Sequence, residues 1–565
     1  MAIKPANPLQ PQPAAPLLCK ADDGGDAPRI LFIGLDAATW VVIEPLLREG
    51  KLPHMARLIQ RGTAAEFKPF IPSESPLIWT SIATGVDPSQ HGIQSFSRRL
   101  PGTDQQVPLR SEFRRAAAFW NLLTDAGKSV ITIKWWASWP AEPVRGATIS
   151  ARLQRDLASG QTWPAYLFPE MDDFREQGGG SDAPHGVVSL PGKAPAAMAP
   201  PSAPAAAPAS AAAPQMVVDS DLAGERDEKP FDDMSVAALA RYALAKYDPT
   251  VFAVYFKSID KIQHFLWRYH DYRTMAGQDP GYRRKGTRID ELYVDFDQVI
   301  GQLVALAGPR TITIIVSDHG MEDRDSISNL YSLRNLDGDK LLAELGLLVR
   351  DGATDWAATR IYSYANRCYE WAVDFRVNLE GREPAGSVAP GEAAAVVAMA
   401  KEQLARLEMT DGSPLFTSVA DGADGVDISA TLNPSLSLDA NLALPAGQPR
   451  PLREFVIQTP QPEGVHIDAP PGIFIAAGGP FNVNARPAQF TAEEILPTLL
   501  YALNVGIPQD LPAKPRLDCF RDDYAAAHPP RYVAATSGRA AQSDIAVQPG
   551  DEELLNELRA LGYIE

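Results

Sequence analysis

Cysteine is nearly absent: Cys19, Cys368 and Cys519 are the only three in 565 residues. Their odd number and wide spacing exclude a disulfide framework, and no CxxC pair offers a structural zinc site. Long apolar runs are missing too. None reaches the roughly 18 residues that a membrane-spanning helix needs. The N-terminal stretch "MAIKPANPLQPQPAAPLLCKADDGGDAP" is rich in proline and lacks the apolar core of a signal peptide. It reads as a disordered lead over residues 1–28, and the protein is expected in the cytoplasm. Positive charge is short as well, with 52 Lys and Arg against 70 Asp and Glu and a net charge of −18. Phosphate-backbone recognition wants a basic face, so a nucleic-acid polymer is not the expected partner. An acidic chain can still take a small anionic substrate where metal ions supply local positive charge. No internal repeat is visible.

What is present is an ordinary globular balance, 45% hydrophobic and 22% charged, on a chain long enough for a large core. Short β-branched runs alternate with helical patterns. "RILFIGLD" is followed by "TWVVIEPLLREG", "TVFAVYFKS" by "IDELYVDFDQVIGQLVALAG", and "TITIIVSD" and "GIFIAAGG" complete the strand set. That alternation predicts an α/β fold with a mostly parallel central sheet covered on both faces, a three-layer αβα sandwich. The core is expected over 29–177, 229–324 and 466–525. Between its first two parts, 178–228 reads as a low-complexity Ala/Pro linker or insertion. Residues 325–465, with short helices and Gly/Pro-rich loops, read as an inserted cap or substrate lobe. Residues 526–565 form a tail whose "EELLNELRALGY" predicts a short amphipathic helix.

In open α/β sheets ligands bind beyond the carboxyl ends of the strands. Asp36 ends the first strand, Asp260 follows "FAVYFKSI", and Asp318 and His319 follow "TITIIVS". The fold therefore gathers them along one rim. Neighbours on a strand point to opposite faces, so Asp318 and His319 share a task only if the strand has ended, a turn that Gly320 permits. Asp260 and His264 stand four apart on a predicted helix and face the same side. They make a workable metal pair, although on the spacing alone a plain helix-surface hydrogen bond is the favoured explanation. Ser75, before Pro76, is a natural helix N-cap. The same position puts its hydroxyl among unpaired N–H groups, where a phosphate is welcome and a metal-bound serine would act as nucleophile. Ser73 and Thr80 are weaker candidates. His466, in "PEGVHIDAPPG", is a lone loop histidine. His270 is expected on the surface of the Asp260 helix, and His91 is expected to hold a turn. His54, His185 and His528 lack a carboxylate at useful spacing.

Taken together, "GLDAATW", "IPSESPLIWTSIATGVDPSQHGI", "DKIQHFLWR", "VSDHGME" and "GVHIDAPPGIFIAAGGPF" occur in the order seen in the alkaline phosphatase superfamily. The chain most resembles its type I phosphodiesterase/nucleotide pyrophosphatase branch, and "NLEGREPAGSV" resembles a segment of bacterial members. The resemblance implies an alkaline phosphatase-like fold and two divalent metal ions, zinc with manganese as the alternative. It places one ion on Asp36, Ser75, Asp318 and His319 and the other on Asp260, His264 and His466. It makes Ser75 the nucleophile of a phosphoester hydrolase that passes through a phosphoserine. Eukaryotic members carry Thr at the nucleophile and an Asn soon after "HGI", where this chain has Ser75 and Phe96, and no alkaline-phosphatase-like arginine clamp can be placed. Diester and monoester substrates thus stay open, as does a phosphotransferase. A non-catalytic binding protein is the remaining alternative, against which stand the seven filled ligand positions. The sulfatase motif is absent, since Ser75 is followed by Pro76, Leu77 and Ile78.

Overall fold

The structure is a computed structural model that describes residues 28–152, 159–168, 232–274, 280–323, 335–457, 463–466, 470–535 and 546–560. Apart from Pro28, the expected N-terminal lead and the Ala/Pro insertion over 178–228 lie outside the described residues.

The β-branched and aromatic runs form the strands. In chain order these are β1 (Arg29–Leu35), β2 (Gly62–Phe67), β3 (Val130–Ile133) and β4 (Gly146–Ile149). Then come β5 (Thr162–Trp163), β6 (Val251–Phe256) and β7 (Thr311–Val316). A separate group holds β8 (Ile361–Arg367), β9 (Ala372–Val377), β10 (Phe416–Asp421) and β11 (Ile428–Leu432), after which the chain returns as β12 (Gly472–Ala477). The principal helices are α1 (Trp40–Arg48), α2 (Pro53–Gln60), α3 (Ser75–Thr84), α4 (Asp232–Lys246) and α5 (Ser258–Leu266). They continue as α6 (Pro280–Ala307), α7 (Ala393–Ala405), α8 (Ala492–Ala502) and α9 (Asp551–Ala560).

One eight-stranded sheet, in the order β2-β12-β7-β1-β6-β3-β4-β5, forms the middle layer. Its centre is parallel: β1 pairs with β6 and β7, and β3 with β6 and β4. The flanks are antiparallel, where β12 joins β7 to β2 and β5 closes the far edge. Alternation along β1 shows why both faces are covered. Leu31, Ile33 and Leu35 pack into a core shared with α1, α2, α4, α5 and α6. Ile30 and Phe32 face the opposite core, shared with α3 and α8. The expected three-layer α/β sandwich is the observed one.

Two details carry the sheet to the site. The parallel strands end level, with Leu35 opposite Phe256 and Gly34 opposite Val316, so the residues after them open on one rim. Gly34 also lets α3 come close, because a Cβ there would lie 2.8 Å from the Trp79 ring.

The stretch 335–457 has its own antiparallel sheet, β8-β9-β11-β10, and its own core. In that core Ala400 and Leu404 of α7 lie with Phe375 and Ile428. The tail helix α9 returns to the main body. Its Asp551, 1% exposed, accepts from Arg110 at 2.7 Å and Arg152 at 2.5 Å, and both guanidiniums lie over the Trp139 ring. Leu555 and Leu558 pack in one cluster with Phe96.

Removing one partner from a buried ion pair costs about 3–5 kcal/mol, because the remaining charge stays desolvated. Asp551→Ala is therefore expected to lower the thermal unfolding midpoint and expose the tail to protease. An unchanged midpoint with a protected tail would contradict the anchoring role.

Candidate active site

The rim gathers its side chains through the ends of three adjacent strands and the start of α3. Asp36 leaves β1 with its N–H bonded to Phe256 O at 2.9 Å, and Ala37 then takes a left-handed φ of 57°. That conformation is costly for a residue with a Cβ. It is held by Gln263, whose amide donates to Ala37 O at 2.8 Å. Tyr293 donates to the Gln263 side chain at 3.0 Å and accepts from Thr39 N at 3.1 Å. The buttress thus ties the Asp36 turn to α5 and α6.

Ser75 is the first residue of α3, and Glu74 is the N-cap residue, without a side-chain cap bond. The expectation that the serine hydroxyl caps the helix is therefore corrected. Ser75 Oγ turns instead to the rim, 3.3 Å from both Asp36 Oδ1 and His319 Nε2. Thr80, the weaker alternative, donates back to Pro76 O at 2.6 Å within its own helix. Ser73 donates to His466 O and so ties the α3 approach loop to that histidine.

β7 ends at Val316, which frees Asp318 and His319 from strand alternation. His319 Nε2 lies 3.4 Å from both Asp36 Oδ1 and Asp318 Oδ2, while its Nδ1 faces Gly320 O at 2.8 Å. Gly320 is needed for a reason other than a left-handed turn, since its φ is not positive. A Cβ at Gly320 would lie 2.7 Å from Pro471 O, so the residue permits close approach of the returning chain.

On α5, His264 Nε2 lies 3.2 Å from Asp260 Oδ1, and both side chains are buried, which removes the surface-pair reading. His264 Nδ1 faces Gly464 O at 2.7 Å, which fixes the ring and aims Nε2 at the site. His466 completes the group. Its ring stacks on His319 at 3.9 Å between centroids and stands 5.2 Å from His264. All seven residues singled out in the sequence thus meet at one place. His270 does not belong. The helix stops at Leu266, and His270 lies beyond it, stacked on Trp267 at 4.3 Å. His91 is fully buried, between Ser81 Oγ at 3.0 Å and Ile93 N at 3.1 Å, and burial holds its pKa down at about 3.

The electrostatics are dominated by burial. Desolvation, then the charges of Asp318 and Asp260, push the Asp36 carboxyl well above the usual range. Burial pushes Asp318 up to about 7. Burial would raise Asp260 as well, but the His264 imidazole outweighs it and holds that carboxyl low. The same pairing raises His264 against the pull of its own burial.

The donor set suits divalent metal. Ligand atoms of Asp260, His264 and His466 lie within 4.8 Å of one another, as do those of Asp36, Asp260 and His319. Asp318 Oδ2 is buried with no hydrogen-bond partner among the described residues. Carboxylate oxygen with imidazole nitrogen is chemistry that zinc accepts, and manganese tolerates.

Sequence reading missed Tyr255, whose hydroxyl donates to Asp36 Oδ2. Burial and the Asp36 charge keep its proton on, so it remains a donor. The available signal was a lone hydroxyl in the otherwise apolar strand "VFAVYF". Gln263 and Tyr293 carried no such signal, because their role depends on α6 crossing α5.

A hydroxyl held against carboxylates and imidazoles at the end of a parallel sheet is the equipment of an ester hydrolase. Over residues 30–425 the chain matches the type I phosphodiesterase/nucleotide pyrophosphatase family. It belongs to that family and is a phosphoric ester hydrolase. No curated protein matches it. Among solved structures it is similar to human ectonucleotide pyrophosphatase/phosphodiesterase 5, at 14% identity and a TM-score of 0.41, over 84% of this chain and 95% of that one. An inactive variant of the murine protein in complex with AMP gives 13% and 0.39, over 85% and 95%. These likenesses are too remote to bear on the site. No helix among the described residues is long and apolar enough to cross a membrane.

The raised carboxyls fix the sign of a pH effect. Between an ordinary carboxylate pKa near 4 and the raised values, the folded chain binds more protons than the unfolded one, so stability falls as pH rises. Metal-free protein is expected to lose several degrees of melting temperature between pH 5 and 7.5, and protein loaded with zinc is expected to keep them. Parallel curves for the two forms would contradict the picture.

Proposed function

We propose that this chain hydrolyses phosphodiesters through a phosphoserine formed on Ser75, at a site that holds two divalent cations. Asp36, Ser75, Asp318 and His319 would hold one, and Asp260, His264 and His466 the other. When bound, the pair would supply positive charge to the phosphate oxygens and lower the pKa of the Ser75 hydroxyl and of a water molecule. The observation that carries this reading is the position of Ser75 Oγ, 3.3 Å from Asp36 Oδ1 and from His319 Nε2.

The residues of the chain divide the work. Ser75 forms the bond to phosphorus in line with the departing oxygen, whose bond to phosphorus breaks. Water then cleaves the seryl phosphate and restores the hydroxyl. α3 starts at Ser75, so the positive end of its dipole would favour the charge of a phosphate there. Tyr255 and the Gln263–Tyr293 buttress hold Asp36 and α5 in register, which removes reorganisation from the reaction. We expect zinc to be the physiological ion, the chain to act in the cytoplasm and a small-molecule phosphoester to be its substrate.

Two variants test this. Ser75→Ala is expected to abolish turnover of bis-p-nitrophenyl phosphate, by about 10⁴-fold or more, while metal content stays near wild type. Residual activity near wild type would remove Ser75 from the nucleophile role. Tyr255→Phe deletes one hydrogen bond to a ligand and is expected to weaken metal binding by about 10–100-fold, as losses of supporting partners do. Equal affinity in the two proteins would show that Tyr255 does not support the site.

A further inference from the structure

A cleft of about 480 Å³ opens between the main body and the 335–457 lobe. It runs from Glu74, the neighbour of Ser75, along the hairpin Ser97–Arg99/Gln106–Pro108 to the faces of β8 and β11. Its volume lies in the range of small-molecule sites, about 300–1,000 Å³.

Four guanidiniums line this cleft, and three are neutralised. Arg99 pairs with Asp339 at 2.6 Å and Asp104 at 2.8 Å. Arg115 pairs with Asp424 at 2.7 Å, and Arg367 with Glu370 at 2.6 Å and Asp374 at 2.9 Å. Arg98 is different. No carboxylate lies within ion-pair distance of it among the described residues. Its guanidinium is held by the Tyr364 hydroxyl, to which Nε donates at 3.1 Å and an Nη at 2.6 Å. The Phe113 and Tyr364 rings flank it at 5.3 and 5.4 Å. Of the five N–H donors that a guanidinium carries, two are used on Tyr364, which leaves about three for a ligand. The aromatic flanks set the plane and cut the entropy cost of using the fork.

We propose that this cleft binds the part of the substrate remote from the reacting phosphorus, and that Arg98 grips an oxyanion on it, a phosphate or a carboxylate. The inference rests on the phosphodiesterase reading above and adds the substrate class: a diester whose far arm carries a second negative charge. Recruiting one residue from the main body and one from the lobe makes the Arg98–Tyr364 pair a specificity element that depends on both parts.

The test uses full-length, metal-loaded protein and three aryl diesters. They are p-nitrophenyl phenyl phosphate and its analogues with a 4-carboxy or a 4-phosphonooxy group on the phenyl arm. Wild type is expected to show kcat/KM at least tenfold higher for one or both charged arms, and which arm gains identifies the anion. Arg98→Gln is expected to bring the charged-to-neutral ratio within about twofold of one, and Arg98→Lys, which keeps the charge without the fork, to fall between. Turnover of all three diesters without preference, or a preference that survives in Arg98→Gln, overturns the subsite and leaves the phosphodiesterase reading standing. If wild type turns over none, that reading fails. Calorimetry with benzoate and phenylphosphonate then decides the subsite. Binding weakened at least fivefold in Arg98→Gln supports it, and equal binding in both proteins overturns it.

Discussion

Asp36, Asp260 and Asp318 lie just beyond the ends of three neighbouring strands, Asp260 in the first turn of α5, each at most 2% exposed. Two like charges about 5 Å apart repel by roughly 3 kcal/mol at an effective dielectric of 20. Folded proteins are stable by only about 5–15 kcal/mol in total. Three buried carboxylates therefore need protons or cations, and the rest of the site is arranged around that need. His264 and His319 bring imidazole nitrogen to the carboxylates, His466 stacks beside them, and Tyr255 supplies a donor to Asp36. The repulsion is the reason a metal reading has physical content here. A cation would turn the least favourable feature of the fold into a binding site.

Three backbone concessions lie around this cluster. Gly34 admits the Trp79 ring so that α3 can bring Ser75 to the rim, Ala37 accepts a left-handed φ, and Gly320 makes room for Pro471. Ala37 and Gly320 are local costs with no packing benefit of their own, whereas Gly34 also seats Trp79 in the core. They are affordable because the sheet beneath is buried on both faces, at about 1.5–3 kcal/mol per large apolar side chain. The lobe at 335–457 and the tail helix α9 pack against this body, through the Tyr364–Arg98 bond and through Leu555 and Leu558 with Phe96.

The fold was largely legible because strand and helix periods differ, and "RILFIGL", "VFAVYF" and "TITIIV" each read as buried parallel strands. Level strand ends then brought Asp36, Asp260, Asp318 and His319 together with little further information. Ser75 and His466 were harder. A serine before Pro76 has a local explanation as a cap, and the structure removes it only by turning the hydroxyl toward Asp36 and His319. His466 had no periodic context, and resemblance to relatives alone singled it out. The supports were illegible. Gln263, Tyr293 and Arg98 act through partners 30 to 266 positions away, a separation no local pattern encodes.

The central claim is that the rim is a two-cation site divided between the Asp36–Ser75–Asp318–His319 and Asp260–His264–His466 groups. Calorimetric titration of metal-free protein with zinc, beside His466→Ala, tests it most directly. The account predicts two equivalents per wild-type chain, with the variant losing or weakening one while the other keeps its affinity. Fewer than one equivalent in wild type, or a His466→Ala isotherm indistinguishable from wild type, would contradict it.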